Sequence, residues 1–161
     1  MILGVSEHAF TVVHAVISLV GIVSGSVVLA GMFRSRRLAA WAVLFLATTV
    51  LTSVTGFFFP RDRILPSHIV GGLSLVVLLV VILALYAYQL AGVWRWIYVA
   101  GALLALYLNV FVLIVQAFLK APFLNALAPT QSEPPFLIAQ IAVILVFVVL
   151  GRVAVRSFRP A

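Results

Sequence analysis

The sequence predicts an all-α fold: an integral membrane bundle of five transmembrane helices, with the N-terminus outside and the C-terminus inside. Three observations carry that expectation. Hydrophobic residues make up 66% of the chain and charged residues only 8%, where a soluble domain would be roughly a quarter charged. The apolar runs are continuous and about twenty residues long, the length that crosses a hydrocarbon core of about 30 Å. The ten basic residues lie between those runs or at their ends. A mean hydropathy of +1.34 is too high for any soluble core to hide, so lipid must be the solvent. A transmembrane barrel would alternate apolar and polar residues with period two, and these runs do not.

The chain reads as one transmembrane domain over residues 1–161 with no internal repeat. Residues 1–8 form a short tail with Glu7 and His8. It lacks the basic cluster of a signal peptide, and the apolar run behind it is too long for one, so the tail is expected to be retained. The first span is placed at about 9–33. His14, Ser18, Gly21 and Gly25 share one face of it, and Gly21 and Gly25 form a GxxxG pair that lets another helix come close. Arg34, Arg36 and Arg37 close the span.

The second span is placed at about 38–59, opened by the interfacial Trp41. Its middle carries Thr48, Thr49, Thr52, Ser53 and Thr55. Such hydroxyls bond back to their own helix or across to a neighbour, or they line a pocket. Pro60 is expected to end the helix. Arg61, Asp62 and Arg63 make the turn, with Asp62 paired to a neighbouring arginine, and Ser67 is the expected N-cap of a third span at about 67–89. His68 falls in its first turn, followed by Gly71 and Gly72.

Trp94, Arg95, Trp96 and Tyr98 read as an aromatic belt around one charge. The fourth span is placed at about 96–119, where Ala102, Ala105, Asn109, Gln116 and Lys120 share a face. Asn109 and Gln116 are amides in an otherwise apolar helix, costly unless paired with another helix or a ligand. Residues 120–135 form an outer loop whose four prolines and polar residues forbid a span. Within it, Pro122 to Ala128 is apolar enough to lie in the interface as a short helix. Pro134 and Pro135 open a fifth span, placed at about 136–155, with Gln140 one turn in and Arg152 reaching out of the far end.

Charge sets the orientation. An outside N-terminus puts seven of the ten basic residues on the cytoplasmic side and three outside, as the positive-inside rule requires. The net charge of +7 therefore points to orientation and anionic lipid rather than to nucleic acid. In this topology all three acids (Glu7, Asp62, Glu133) and all three histidines (His8, His14, His68) fall on the outer side, as do Gln116, Gln131 and Gln140. Positive-inside bias explains the arginines but not the histidines or the amides.

His14 and His68 differ in depth by about 6 Å at the helical rise. They would flank one cofactor if the first and third spans were neighbours. Haem b, with both histidines as axial ligands, is one reading. A quinone is another, with His68, Gln116 or Gln140 on a carbonyl and Phe57 to Phe59 beside it. Lipid contact and plain interfacial hydrogen bonding are the others. A zinc or copper site needs three or four ligands, which Glu7, His8, His14 and His68 supply only if the tail folds back. With no cysteine there is no disulfide, thiolate site or cysteine nucleophile. HExxH, GxSxG and Walker motifs are missing too, so no catalysis is expected.

The stretch LYLNVFVLIVQAFLKAPFLNALAPTQSEPPFLIAQ, from Leu106 to Gln140, resembles small uncharacterised bacterial polytopic inner-membrane proteins that share an NVFVxxVQxFxK-type segment. GFFFPRDRILPSH shows a looser likeness. The resemblance implies a bacterial cytoplasmic membrane and brings no activity, cofactor or binding residue with it. The expected function is a non-catalytic membrane protein whose pocket near the periplasmic side binds haem b, quinone or lipid through His14, His68, Asn109, Gln116 and Gln140. The alternative is an accessory subunit of a membrane complex, or a homo-oligomer, with no bound cofactor.

Overall fold

The structure is a computed structural model that describes residues 1–2, 4–59 and 66–160. Among the described residues there are six α-helices: α1 (Glu7–Phe33), α2 (Ala39–Gly56), α3 (Pro66–Ile82), α4 (Val93–Lys120), α5 (Pro122–Leu127) and α6 (Pro134–Ser157), with a π-helical turn at Leu83–Ala87 after α3. None of them forms a strand. Five of the helices are long and apolar enough to cross a membrane, so the expected helical membrane bundle is the fold.

Local chemistry sets the ends. Ser6 caps α1 by accepting from Ala9 N–H at 3.2 Å, and Glu7 in the first turn complements the helix dipole. At its other end Arg34 and Arg36 both donate backbone N–H to Gly31 O, and Ser35 takes a left-handed φ of 52°. The chain reverses at once into α2. Helix α2 ends at Gly56 rather than at Pro60, because Phe57 and Phe58 turn back onto Val54 O and Thr55 O. Helix α3 begins one residue before the expected cap, so Ser67 lies inside it. The paired turn of Arg61, Asp62 and Arg63 lies outside the described residues.

The third span also ends differently from expectation. A π-turn widens the last turn of α3, with Tyr88 N–H bonding Leu83 O and Leu90 N–H bonding Ala84 O. Gln89 and Leu90 follow with left-handed φ values of 47° and 60°, each a strain of about 1–2 kcal/mol. Two contacts hold the turn: Arg37 donates to Leu85 O at 3.4 Å, and Tyr88 stacks on Trp94 with centroids 3.8 Å apart. Helix α4 consequently starts at Val93 rather than 96.

Helices α1 and α3 each pack on both α2 and α4, while α1 and α3 take opposite corners of that square. Helix α6 lies outside it, against α4 and α1. Seven arginines gather at one end: Arg95 donates to Val155 O and Phe158 O at the end of α6, and Arg159 N–H bonds Ser35 Oγ at 2.8 Å. The apolar core sits in this arginine half, around Met32, Phe45, Val81, Val99, Ala105 and Phe158. Toward the other end the packing loosens. No α1 residue from Thr11 to Val20 is buried, and none of α4 from Asn109 to Ala117. Only a small second cluster, Phe118, Ala128 and Phe136, seals the end of α4 beneath α5.

Candidate functional site

A polar seam runs along α1 and α2 into the loosely packed half. Its base is the GxxxG pair. At Gly25 any Cβ would lie 2.8 Å from the Phe45 ring and 2.9 Å from Leu106, so only glycine permits this approach of three helices. Gly21, one turn on, leaves space for the hydroxyls of Thr48 and Thr49 and for the Asn109 amide. Asn109 Nδ2 donates to Thr49 Oγ1 at 3.2 Å, pairing one of the two costly amides of α4 across the square. Above it, Ser18 Oγ donates to His14 O at 2.8 Å and reaches Thr52 Oγ1 at 3.3 Å.

His14 tops the seam. Its Nδ1 lies 2.8 Å from Thr55 Oγ1. The Thr55 hydroxyl spends its hydrogen on its own helix, at Leu51 O 2.6 Å away, so toward His14 it can only accept. His14 Nδ1 is therefore the protonated nitrogen, and in the neutral ring Nε2 keeps its lone pair. No described residue donates to that lone pair. The ring is held edge-on to Phe59, centroids 5.2 Å apart, and Phe59 in turn meets Phe10. The site thus combines an oriented acceptor and a row of hydroxyls.

His68 lies elsewhere. It stacks on Phe57 with centroids 5.6 Å apart, against Phe57's contact with Gly71. The two imidazoles meet different phenylalanines of the turn that ends α2, and α1 and α3 share no major packing contact. Gln140 is buried between α4 and α6. Its Nε2 reaches Phe111 O at 3.4 Å and its Oε1 has no partner. Gln116 is half-buried on α4, with no hydrogen bond among the described residues. Of the five sequence candidates, His14 and Asn109 lie on the seam, His68 stacks on Phe57, and Gln116 and Gln140 lie on α4 and α6. Among the described residues no three of His, Cys, Asp and Glu cluster as metal ligands.

Thr55, which orients His14, was named from the sequence only as one of a row of hydroxyls. The outer loop is built on its own contacts. Gln131 Nε2 donates to Val115 O at 2.9 Å. Glu133 accepts from Thr130 Oγ1, Thr130 N–H and Ser132 N–H. Desolvation pushes the Glu133 carboxyl up, but these hydrogen bonds outweigh it and hold the group below its ordinary value. Comparison with protein families, curated proteins and solved structures gave no match.

Proposed function

We propose that this chain is a non-catalytic protein of a bacterial cytoplasmic membrane, binding an amphiphile of the quinone class in the loosely packed half of the bundle. The arginine end faces the cytoplasm by the positive-inside rule, which puts the site near the outer face. The observation that carries the reading is His14 Nε2, an acceptor fixed by Thr55 and used by no described residue. A quinol hydroxyl donates to it. A bis-histidine haem b needs the two imidazoles on either side of one plane; with α1 and α3 on opposite corners, the packing favours quinone over haem.

The test is to purify the protein in mild detergent, extract it with organic solvent, and record its optical spectrum. The proposal expects a quinone-class lipid near one per chain, lost in His14→Ala and retained in His68→Ala. A Soret band would replace quinone by haem. Extracts empty of both would transfer the assignment to an interaction subunit of a larger complex or homo-oligomer.

A further inference from the structure

A second feature lies on a different face of α1 from His14, against α2. A groove of about 260 Å³ runs along its outer surface, walled by Val16, Leu19, Val20 and Val23 of α1 and by Trp41 and Leu44 of α2. Ser24 floors it, but the Ser24 hydroxyl turns back onto Val20 O at 2.6 Å, so the surface offered is apolar. These walls are open to the bilayer: Val23 is 60% exposed and Trp41 41%. Trp41 sits at the end nearest the α1–α2 turn, in the first turn of α2.

The charge beside it is one-signed. Arg34 and Arg36 are exposed in that turn and make no side-chain hydrogen bond or ion pair with any described residue, whereas Arg37 is engaged on Leu85 O. Glu7 and Glu133 both lie at the far end of the bundle. The Trp41 indole N–H also has no acceptor among the described residues, and an indole at membrane depth ordinarily finds one at the headgroup level. Two free guanidiniums, an indole donor and an apolar groove thus follow one another from the surface inward. That is the order of phosphate, ester and acyl chain in a phospholipid.

We propose that this groove holds one anionic phospholipid, its phosphate on Arg34 and Arg36, its ester oxygens at Trp41 and an acyl chain along Val16 to Val23. Basic residues near a bilayer surface contribute about fivefold each to anionic-lipid affinity. The two arginines together give about a thirtyfold preference over a zwitterionic lipid.

The experiment uses the full chain carrying Trp94→Phe and Trp96→Phe, which leaves Trp41 as its one tryptophan, excited selectively over the tyrosines. It is reconstituted in phosphatidylcholine vesicles containing phosphatidylglycerol with brominated acyl chains, and compared with vesicles whose brominated lipid is phosphatidylcholine. Stronger Trp41 quenching by the anionic lipid is expected. Arg34→Gln with Arg36→Gln should abolish the excess, and Val20→Phe, which fills the groove without touching charge, should reduce quenching by both lipids. Excess inorganic phosphate should change nothing, because the acyl chain contributes to binding. Equal quenching by the two lipids, an excess that survives loss of both arginines, or displacement by free phosphate would each overturn the proposal.

Discussion

Replacing Gly25 by alanine adds one methyl group, and the structure states what it meets. The new Cβ would lie 2.8 Å from two carbons of the Phe45 ring and 2.9 Å from Leu106 Cδ1, against a comfortable separation of about 3.5–4.0 Å. Neither neighbour can step aside, since Phe45 is 2% exposed and Leu106 3%. Helix α1 must therefore back away from α2 and α4 together. Overpacking of this kind costs about 1–3 kcal/mol, offset by up to about 1 kcal/mol from alanine's better helix propensity. The net expectation is a loss of about 1–2 kcal/mol. Gly72→Ala is the matched control, because a Cβ there meets nothing within 4 Å; it should be neutral or stabilising by up to about 1 kcal/mol. Reversible unfolding in mixed micelles compares the two. Equal stability of Gly25→Ala and Gly72→Ala would refute the claim that three helices converge on Gly25.

Other outcomes follow from single contacts. A double-mutant cycle on Asn109→Ala and Thr49→Val should give a coupling of about 0.6 kcal/mol, the average for an interhelical hydrogen bond in a membrane; zero coupling would remove the cross-square bond. Gln140→Leu should be neutral or stabilise by about 1 kcal/mol, because it removes a buried carbonyl oxygen with no partner and keeps most of the volume. A clear loss of stability would mean that Oε1 is satisfied by a group yet to be identified. The outer turn should be acid-sensitive. With its folded pKa depressed, Glu133 adds stability that is complete above the unfolded carboxylate value and is lost as pH falls through the lower folded one. Hydrogen exchange at Thr130 and Ser132 should quicken over that acid window and become pH-independent, beyond intrinsic chemistry, in Glu133→Gln. Protection that stays constant across the window would refute the contact.

The span count was legible because hydropathy over twenty residues is a strong signal in lipid. The helix ends were less so. Proline positions suggested Pro60 and Ser67 as boundaries, but Phe57 and Phe58 close α2 earlier and α3 takes up Pro66. The π-turn at Leu83–Ala87 has no local marker; it depends on Arg37, far away in sequence, reaching Leu85 O.

The seam was half readable. The short α1–α2 turn forces an antiparallel hairpin, and its register pairs Gly25 with Phe45, Gly21 with Thr49, Ser18 with Thr52 and His14 with Thr55. As one number falls the other rises in step, so Thr55 was derivable from the turn and the His14 face. Which helices flank α2 was not derivable, because apolar faces carry no partner label. That gap is why the sequence could set α1 beside α3, whereas the main partners of both are α2 and α4. Gly101 was also overlooked, though its spacing to Ala105 repeats the small-residue pattern; a Cβ there would meet Val81 Cγ2 at 2.5 Å.

The protonation of one ring is the most direct test of the ligand assignment. Nitrogen-15 NMR of histidine-labelled protein in lipid nanodiscs, with the His14 signal identified by its loss in His14→Ala, reads the tautomer and its response to added short-chain quinol. The account predicts a neutral ring protonated at Nδ1, whose bare Nε2 resonance moves on titration. A ring protonated at Nε2, or a resonance that ignores the quinol, would contradict it.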